Sequence, residues 1–274
     1  MPPQAKLGIL AGGGALPARL AAACRASDRP FHIVAFEGHA DALDDSLAPD
    51  WVRLGAVGAL FEKLRAAQVA EVVLAGRIRR PSLKELAPDW RGAKFLAKVG
   101  LAMGDDGLLR AAINEIESEG FKVIGVEDVL ADLLAREGPY GRHKPNDEAR
   151  TDIGRGIAVA QGLGRLDVGQ AVVVQQGLVL GVEAVEGTDA LLARVAGLKR
   201  EGQGGVLVKL AKPQQERRAD LPTIGPVTVR VAHQAGLIGI AIEAGRALVI
   251  DADQVIRIAD EVGLFVIGIR VEGG

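Results

Sequence analysis

The chain has 274 residues, with 33 Lys and Arg against 35 Asp and Glu, so its formal charge is −2. The single cysteine excludes a disulfide framework and multi-cysteine metal sites, and the four histidines form no i,i+4 pair for zinc. Aromatic residues make up only 3%, which together with the near-neutral charge argues against nucleic acid as a partner. There is no signal-peptide pattern and no apolar run of about 20 residues, so we expect a cytoplasmic protein.

Short apolar runs alternate with amphipathic segments through the first half of the chain. This alternation predicts an α/β fold with a parallel, doubly wound sheet over residues 1–130. Gly120 is placed to end the last helix of this region. The predicted strands are Leu7–Ala11, Phe31–Phe36, Glu71–Ala75 and Phe121–Val126, and the predicted helices are Leu16–Ala26, Phe61–Gln68 and Leu108–Glu119.

A Gly-, Pro- and charge-rich stretch at residues 136–146 predicts a linker, so residues 131–165 are assigned to a linker and a connecting helix. Residues 166–274 are predicted to form a second, mixed α/β domain, with a hairpin turn at Gln175-Gln176-Gly177. The predicted strands there are Ala171–Val174, Leu178–Val185, Val206–Ala211, Gly239–Glu243, Ala247–Ile250 and Leu264–Ile269, and the predicted helices are Asp189–Ala196, Thr228–Ala235 and Asp253–Val262.

A glycine-rich turn, Gly12-Gly13-Gly14, follows the first strand and precedes a helix. Backbone N–H groups at such a helix start favour a phosphate. The pattern is close to a dinucleotide fingerprint with Pro17 at its third position, and Glu37 ends the next strand where a ribose-binding acid would lie. A tight turn that needs small residues is the alternative.

Two further segments of the first domain carry charge beside glycine. Asp105 and Asp106, before the Leu108 helix, could bind Mg²⁺ or serve as a helix cap. Arg77, Arg79 and Arg80 follow a strand end, where they could clamp phosphates or form a solvated loop.

In the second domain, the segment Glu183-Ala184-Val185-Glu186-Gly187-Thr188-Asp189 lies at the end of a strand and could ligate a metal or hold a pyrophosphate. A turn with a helix cap explains Thr188 and Asp189 equally well, but it does not explain Glu186.

The densest segment of polar residues is 209–225. It combines two Lys, a Gln pair and two Arg between prolines that stiffen it. Asp220 is the candidate metal-binding or base carboxylate.

The chain resembles the UDP-2,3-diacylglucosamine pyrophosphatases of lipid A biosynthesis of the LpxI type. The resemblance spans residues 7 to about 270. It is carried by LGILAGGGALP, AGRIRRP, GDDGLLR, LDVGQAVVVQQGLVLGVEAVEGTDALLARV and AKPQQERRADLPTIG.

The resemblance implies a Rossmann-like N-terminal domain, a distinct C-terminal domain and Mg²⁺-dependent hydrolysis by water attack on the sugar-linked phosphorus. The products would be UMP and 2,3-diacylglucosamine 1-phosphate, called lipid X. It further implies that Asp220 is essential, that the chain is a homodimer, and that a lipid substrate brings it transiently to the inner membrane surface.

On this hypothesis Asp220 is the first metal ligand or base, and Lys212 and Arg218 counter the phosphate charge. Helper ligands would be Asp105, Asp106 and Asp189. The predicted substrate or phosphate contacts are Gly12, Gly13, Gly14, Arg79, Glu186, Gly187, Thr188, Gln215, Thr223 and Gly225. An NAD(P)-dependent oxidoreductase, suggested by the glycine turn alone, and a non-enzymatic nucleotide- or lipid-binding protein are the alternatives.

Overall fold

The computed structural model describes residues 4–41, 43–79, 86–99 and 105–271. The chain divides into two compact units. The N-terminal unit contains Met1–Ala131 together with Glu216–Ala219, and the C-terminal unit contains Asp132–Gln215 and Asp220–Gly274.

The N-terminal unit is built on a five-stranded parallel sheet with strand order β3-β2-β1-β4-β5. This is the order of a doubly wound nucleotide-binding sheet. All five residues of the central strand are buried, since a parallel sheet is covered on both faces. The strands are β1 Leu7–Ala11, β2 Phe31–Phe36, β3 Asp50–Val52, β4 Glu71–Ala75 and β5 Lys122–Ile124.

The helices of this unit begin and end where local chemistry allows. Pro17 lies in the first turn of α1, where its missing N–H costs nothing. Gly120 follows α4 with φ +92°, a conformation that favours glycine. The helices are α1 Leu16–Ala26, α2 Val57–Ala66, α3 Trp90–Val99 and α4 Asp105–Ser118.

The C-terminal unit contains a six-stranded mixed sheet with order β6-β13-β11-β9-β7-β8. The strands β9, β11 and β13 are parallel, β7 is antiparallel to β9, and β8 is antiparallel to β7, so β8 runs in the same direction as β9. The strands are β6 Gly138–Pro139, β7 Ala171–Gln175, β8 Leu178–Val182, β9 Val206–Lys209, β11 Gly239–Glu243 and β13 Phe265–Ile269.

The predicted β7–β8 hairpin is confirmed. Gln176 and Gly177 have φ of +53° and +74°, the pair of positive values that a type I′ turn requires. The buried Asp152 carboxylate accepts the N–H groups of both turn residues at 3.0 and 2.6 Å. The turn is thereby tied to the helix that carries Asp152.

The remaining elements surround this sheet. Helix α5 packs on β7 and β9, and the short strands β10 and β12 pair in parallel. Within the segment predicted as a linker, Gly138 and Pro139 form β6, which pairs with β13 at the sheet edge. These elements are α5 Asp147–Arg165, α6 Thr188–Val195, β10 Thr223–Ile224, α7 Pro226–Gln234, β12 Leu248–Val249 and α8 Ala252–Val262.

The predicted fold class is therefore confirmed: a parallel sheet in the first unit and a mixed α/β arrangement in the second. The elements β3, α3, β6 and β10 were not predicted. β3 has only three residues and begins with Asp50 and Trp51, so it lacks an apolar run. α3 contains Gly92 and three basic residues. Across the described ranges, no helix is both long and apolar enough to cross a membrane.

Candidate active site

Three charged side chains are buried at one edge of the C-terminal sheet. Glu183 directly follows β8, Lys209 ends β9 and Glu243 ends β11. Because these three strands run in the same direction, their carboxyl ends lie at the same edge. The exposed fractions are only 6%, 6% and 4%. Buried charges are costly unless paired, so this edge is the first place to seek function.

Lys209 links two of the sequence motifs. Its Nζ donates to Thr188 Oγ1 at 2.8 Å and to the carbonyl oxygen of Thr223 at 3.1 Å. Thr188 Oγ1 in turn donates to Glu183 Oε1 at 2.7 Å. The single hydroxyl proton of Thr188 is thus directed at Glu183. In this structure the Thr188 hydroxyl bridges Lys209 and Glu183, and its predicted contact with a phosphate stays a prediction.

The second carboxylate oxygen of Glu183 has a different environment. Oε2 is buried and has no hydrogen-bond partner in the described part of the chain. An unsatisfied buried acceptor destabilises the folded state, and such groups concentrate at functional sites.

Asp220 is held by Gln215. The buried Gln215 donates from Nε2 to Asp220 Oδ2 at 2.6 Å and to Gln170 Oε1 at 3.1 Å. Its own Oε1 accepts the Lys212 N–H at 2.9 Å. These bonds fix the orientation of the Gln215 amide, so an N–H donor faces the Asp220 carboxylate. The structure therefore brings together two residues that the sequence proposed.

The backbone leading to Gln215 is fixed by a second set of polar contacts. Glu243 Oε2 accepts the Ala211 N–H at 2.9 Å, and its Oε1 pairs with Arg246 at 3.3 Å. Lys212 Nζ forms an ion pair with Asp167 Oδ1 at 2.6 Å, and the Lys212 side chain is 12% exposed. Lys212 is thus charge-paired within its own unit.

Arg218 lies in the part of the segment that clusters with the N-terminal unit. It forms ion pairs with Glu216 at 2.9 Å and with Glu117 at 2.6 Å. Arg218 lowers the pKa of Glu216, and Glu216 raises the pKa of Arg218. These interactions stabilise both charges over the neutral pH range.

Asp106 supports the same segment. Its Oδ1 accepts the Glu216 N–H at 3.0 Å and its Oδ2 pairs with Arg110 at 3.0 Å. The side chain of Asp106 is almost fully buried. Both oxygens are engaged by protein donors, so in this structure Asp106 holds residues 216–219, and its predicted role in a metal site stays a prediction.

The glycine turn uses its amides within the protein. Gly12 N donates to Ala75 O at 2.8 Å, Gly13 N to Arg77 O at 2.8 Å, and Gly14 N to Asp41 Oδ1 at 2.8 Å. A Cβ on Gly12 would lie 2.6 Å from Arg77 O, and one on Gly76 would lie 2.5 Å from Gly13 O. The glycines thus permit two backbone segments to approach, and the phosphate contact predicted at their amides stays a prediction.

The other predicted contacts lie near helix starts or in loops. Glu186 pairs with Arg194 at 2.7 Å, and its pKa is lowered by its own backbone N–H and by Arg194. Gly187 precedes α6 with φ +81°, and Asp189 is exposed in the first turn of that helix. Gly225 precedes α7, and Arg79 is exposed in a loop. The side chain of Asp105, like Arg80 as a whole, lies outside the described residues.

The described side chains include no group of three or more His, Cys, Asp or Glu residues arranged to hold a metal ion. Mg²⁺ commonly takes only one or two carboxylates, with substrate phosphates and water as its other ligands.

Sequence reasoning included Glu183 and Lys209 in its motif segments without naming them as site residues, and it missed Glu243. Each is the first charged residue after an apolar run, in LVLGVE, VLVK and GIAIE. That position is a usable signal, since it places a charge at the carboxyl end of a strand.

These features define an α/β protein with a buried, charged edge at the carboxyl ends of its strands, the place where α/β enzymes hold their reactive groups. The chain belongs to the LpxI family: residues 6–133 match the LpxI N-terminal domain and residues 136–267 match the LpxI C-terminal domain. It is similar to the UDP-2,3-diacylglucosamine pyrophosphatase LpxI of Caulobacter vibrioides. The two are 46% identical over 272 residues, which cover 96% of this chain and 97% of that protein.

Proposed function

We propose that this protein hydrolyses the pyrophosphate of UDP-2,3-diacylglucosamine to UMP and lipid X in lipid A biosynthesis. The observation that carries the proposal is the 46% identity, over nearly the whole of both chains, to a protein named for this activity. The geometry of Asp220 gives it a chemical basis. The dinucleotide oxidoreductase alternative is less well supported, because the described amides of the glycine turn donate to protein acceptors.

Asp220 is the proposed metal ligand or general base. A pyrophosphate diester repels an incoming nucleophile, so the enzyme must neutralise charge and position a water molecule in line with the bond that breaks. Gln215 donates a hydrogen bond to Asp220 Oδ2 at 2.6 Å, an interaction that favours the ionised carboxylate. Gln215 is thus proposed as a positioning residue.

Mg²⁺ is the proposed cofactor, and the donor set of Asp220 fits it. A hard cation prefers carboxylate oxygen, and a single carboxylate with substrate phosphate oxygens and water is a common arrangement for Mg²⁺. When bound, the ion supplies charge neutralisation at the phosphates. Asp106 has both oxygens engaged by protein donors, so the proposal relies on Asp220.

Basic side chains supply the rest of the charge balance. Lys209 lies buried beside Thr188 and Thr223, and Lys212 is paired with Asp167. Lys212 and Arg218 are proposed phosphate contacts. Each now forms an ion pair with a carboxylate, so each would leave that carboxylate to contact a substrate phosphate.

The test is Asp220→Asn, which keeps the shape of the side chain and removes its charge. We expect UMP release from UDP-2,3-diacylglucosamine to fall by about 10³-fold, the scale of losing a central electrostatic group. The matched control is Asp189→Asn, the same substitution at an exposed position of α6. There we expect the rate of UMP release to change by less than about tenfold, because Asp189 would be at most a helper ligand. A Tm equal to wild type establishes that both variants fold, and wild-type activity in Asp220→Asn overturns the proposal.

The Mg²⁺ requirement is tested separately. Chelation should abolish UMP release by the wild-type protein, and added Mg²⁺ should restore it. Undiminished turnover in excess chelator would contradict the metal proposal while leaving the pyrophosphatase proposal standing.

We also propose a cytoplasmic homodimer that contacts the inner membrane transiently. A two-chain lipid substrate supports the membrane contact. For the dimer, support comes from β8, the last strand in its sheet, where Leu178 and Val179 are 49% and 37% exposed. A strand edge of this kind can pair with a second copy. Light scattering coupled to gel filtration gives the mass directly, and a monomer at micromolar concentration would refute the dimer.

A further inference from the structure

Helix α3 carries charge of only one sign. Its sequence, WRGAKFLAKV, contains Arg91, Lys94 and Lys98 and no acidic residue. The helix lies in the N-terminal unit and contains none of the residues that the proposed hydrolysis uses. A one-sided positive helix is a feature that the proposed function leaves unexplained.

The exposed face of this helix is regular. Trp90, Lys94 and Lys98 are spaced by four residues and therefore lie along one line of the helix surface. Trp90 is 83% exposed, which is unusual for so large an aromatic side chain. Ala93 and Ala97 lie between them on the same exposed face, so short side chains leave the Trp and Lys side chains projecting.

The opposite side of the helix is firmly attached. Asp89 accepts the Gly92 N–H and the Gly58 N–H, both at 2.7 Å, which ties the start of α3 to α2. A Cβ on Gly92 would lie 2.2 Å from Gly55 O, so the helix approaches the neighbouring backbone closely. The exposure of Trp90 is thus imposed by packing on the other face.

Acids in and directly after the neighbouring helix α4 engage two of the three basic side chains, and only weakly at Lys98. Arg91 pairs with Glu119 at 2.9 Å, and Lys98 lies 3.6 Å from Glu115 with its side chain 74% exposed. Lys94 is exposed on the outer face. Such surface ion pairs are weak and yield readily to a stronger anion.

We propose that the face formed by Trp90, Lys94 and Lys98 binds the surface of an anionic lipid bilayer. Trp is favoured at the membrane–water interface, and basic side chains on an amphipathic helix attract anionic head groups. A second copy of the chain is a poorer occupant, because a two-fold contact would set the Lys residues of each copy against those of the other. One aromatic anchor and a few charges give a weak, reversible contact. The inference does not depend on the hydrolytic activity.

The two tryptophans of the chain provide a direct test. Trp51→Phe leaves Trp90 as the only tryptophan, and Trp90→Phe leaves Trp51, which is 45% exposed on β3, as the matched control. Each full-length variant is mixed with vesicles of phosphatidylcholine and phosphatidylglycerol in equal parts, or of phosphatidylcholine alone. We expect the emission of Trp90 to shift to shorter wavelength with the anionic vesicles only, and the emission of Trp51 to stay unchanged.

Sedimentation with the same vesicles measures the affinity. Lys94→Gln should weaken binding about fivefold, the value of one charge near an anionic surface, and raised salt should weaken it further. Lys144→Gln, which removes an exposed charge in the C-terminal unit, should leave it unchanged. No sedimentation, equal shifts at both tryptophans, or a shift that depends on protein concentration without vesicles would each overturn the proposal. Because no substrate is present, none of these results bears on the pyrophosphatase assay.

Discussion

The two sheets differ in where charged side chains of their strands are paired or buried. In the N-terminal sheet, Glu71 begins β4 and Lys122 begins β5, and they pair at 2.8 Å at the amino edge. The carboxyl ends of β1 and β4 continue into glycines instead. In the C-terminal sheet, Glu183, Lys209 and Glu243 occupy the carboxyl edge and are buried.

This difference indicates which edge is built for chemistry. At the carboxyl edge of the N-terminal sheet, which we call the glycine edge, Gly13 and Arg77 exchange N–H···O bonds at 2.8 and 3.0 Å. The backbone N–H and C=O groups there are therefore hydrogen-bonded to one another. At the charged edge, buried ions are retained although apolar residues would pack there at less cost. Buried charges of this kind are concentrated at functional sites, so we propose that the reaction takes place at the C-terminal sheet.

The largest effect should come from Lys209→Met, which keeps the length of the side chain and removes its charge. Thr188 and Thr223 would lose their shared donor and Glu183 its nearby cation, so we expect the free energy of unfolding to fall by about 3 kcal/mol. Urea denaturation measures it. The control is Lys63→Met, whose partner Asp50 lies at the amino edge and is 40% exposed; there we expect less than about 1 kcal/mol. Equal losses in the two variants would break the comparison.

A smaller effect is expected for Gln215→Leu. Losing the donor to Asp220 should lower kcat by about 10- to 100-fold with little change in KM, because the substrate can still bind. Gln214→Leu, which removes a contact to Gly164 O at 2.7 Å in the same loop, is the matched control.

The conservative exchange Gln215→Glu separates positioning from packing. A second carboxylate beside Asp220 would raise the pKa of Asp220, so the acidic limb of the rate profile should move to higher pH. A Gln215→Glu variant with an unchanged profile would show that Gln215 only supports the loop.

At the glycine edge, Asp41→Ala should reduce stability and leave catalysis unchanged. The carboxylate accepts the Gly14 N–H at 2.8 Å, and hydrogen bonds to charged groups contribute about 1.5 kcal/mol or more. Thermal unfolding measures the loss, and the same protein is assayed for UMP release. A changed KM with an unchanged Tm would instead indicate that substrate phosphate binds at Gly14, as the sequence predicted.

Most strand positions could be predicted because their signal is local. The strands β1, β2, β4 and β11 lie at the predicted residues, since each is an apolar run that ends at glycine or charge. The hydrogen bond between Lys209 and Thr188 could not be predicted. It depends on β8 and β9 running in the same direction on either side of β7, which is a matter of strand order and not of spacing.

The glycine turn shows a different limit of sequence reasoning. Its local pattern was correct for a strand, a turn and a helix, yet the acceptors of its amides come from Ala75, Arg77 and Asp41, far along the chain. Sequence spacing identifies donors, but only the folded backbone shows where those donors are directed.

The smallest effect should come from Glu71→Gln at the amino edge. Lys122, and after it Arg29, holds the pKa of Glu71 below its ordinary value, so ionised Glu71 stabilises the fold above about pH 4.3. This stability is lost as the pH falls through the lowered pKa, where the carboxylate is protonated. We therefore expect Glu71→Gln to reduce the free energy of unfolding by about 1 kcal/mol at pH 7 and by less at pH 3, measured by urea denaturation.

Glu62→Gln on the exposed face of α2 removes the same charge and should show no such pH dependence. The rate of UMP release should be unchanged in both variants. Glu71 lies at the amino edge of its sheet, opposite to the strand carboxyl ends, and Glu62 lies on the exposed face of α2. A kcat that falls with Glu71→Gln would mean that amino-edge charges also reach the reaction, and the division between a structural and a reactive edge would then fail.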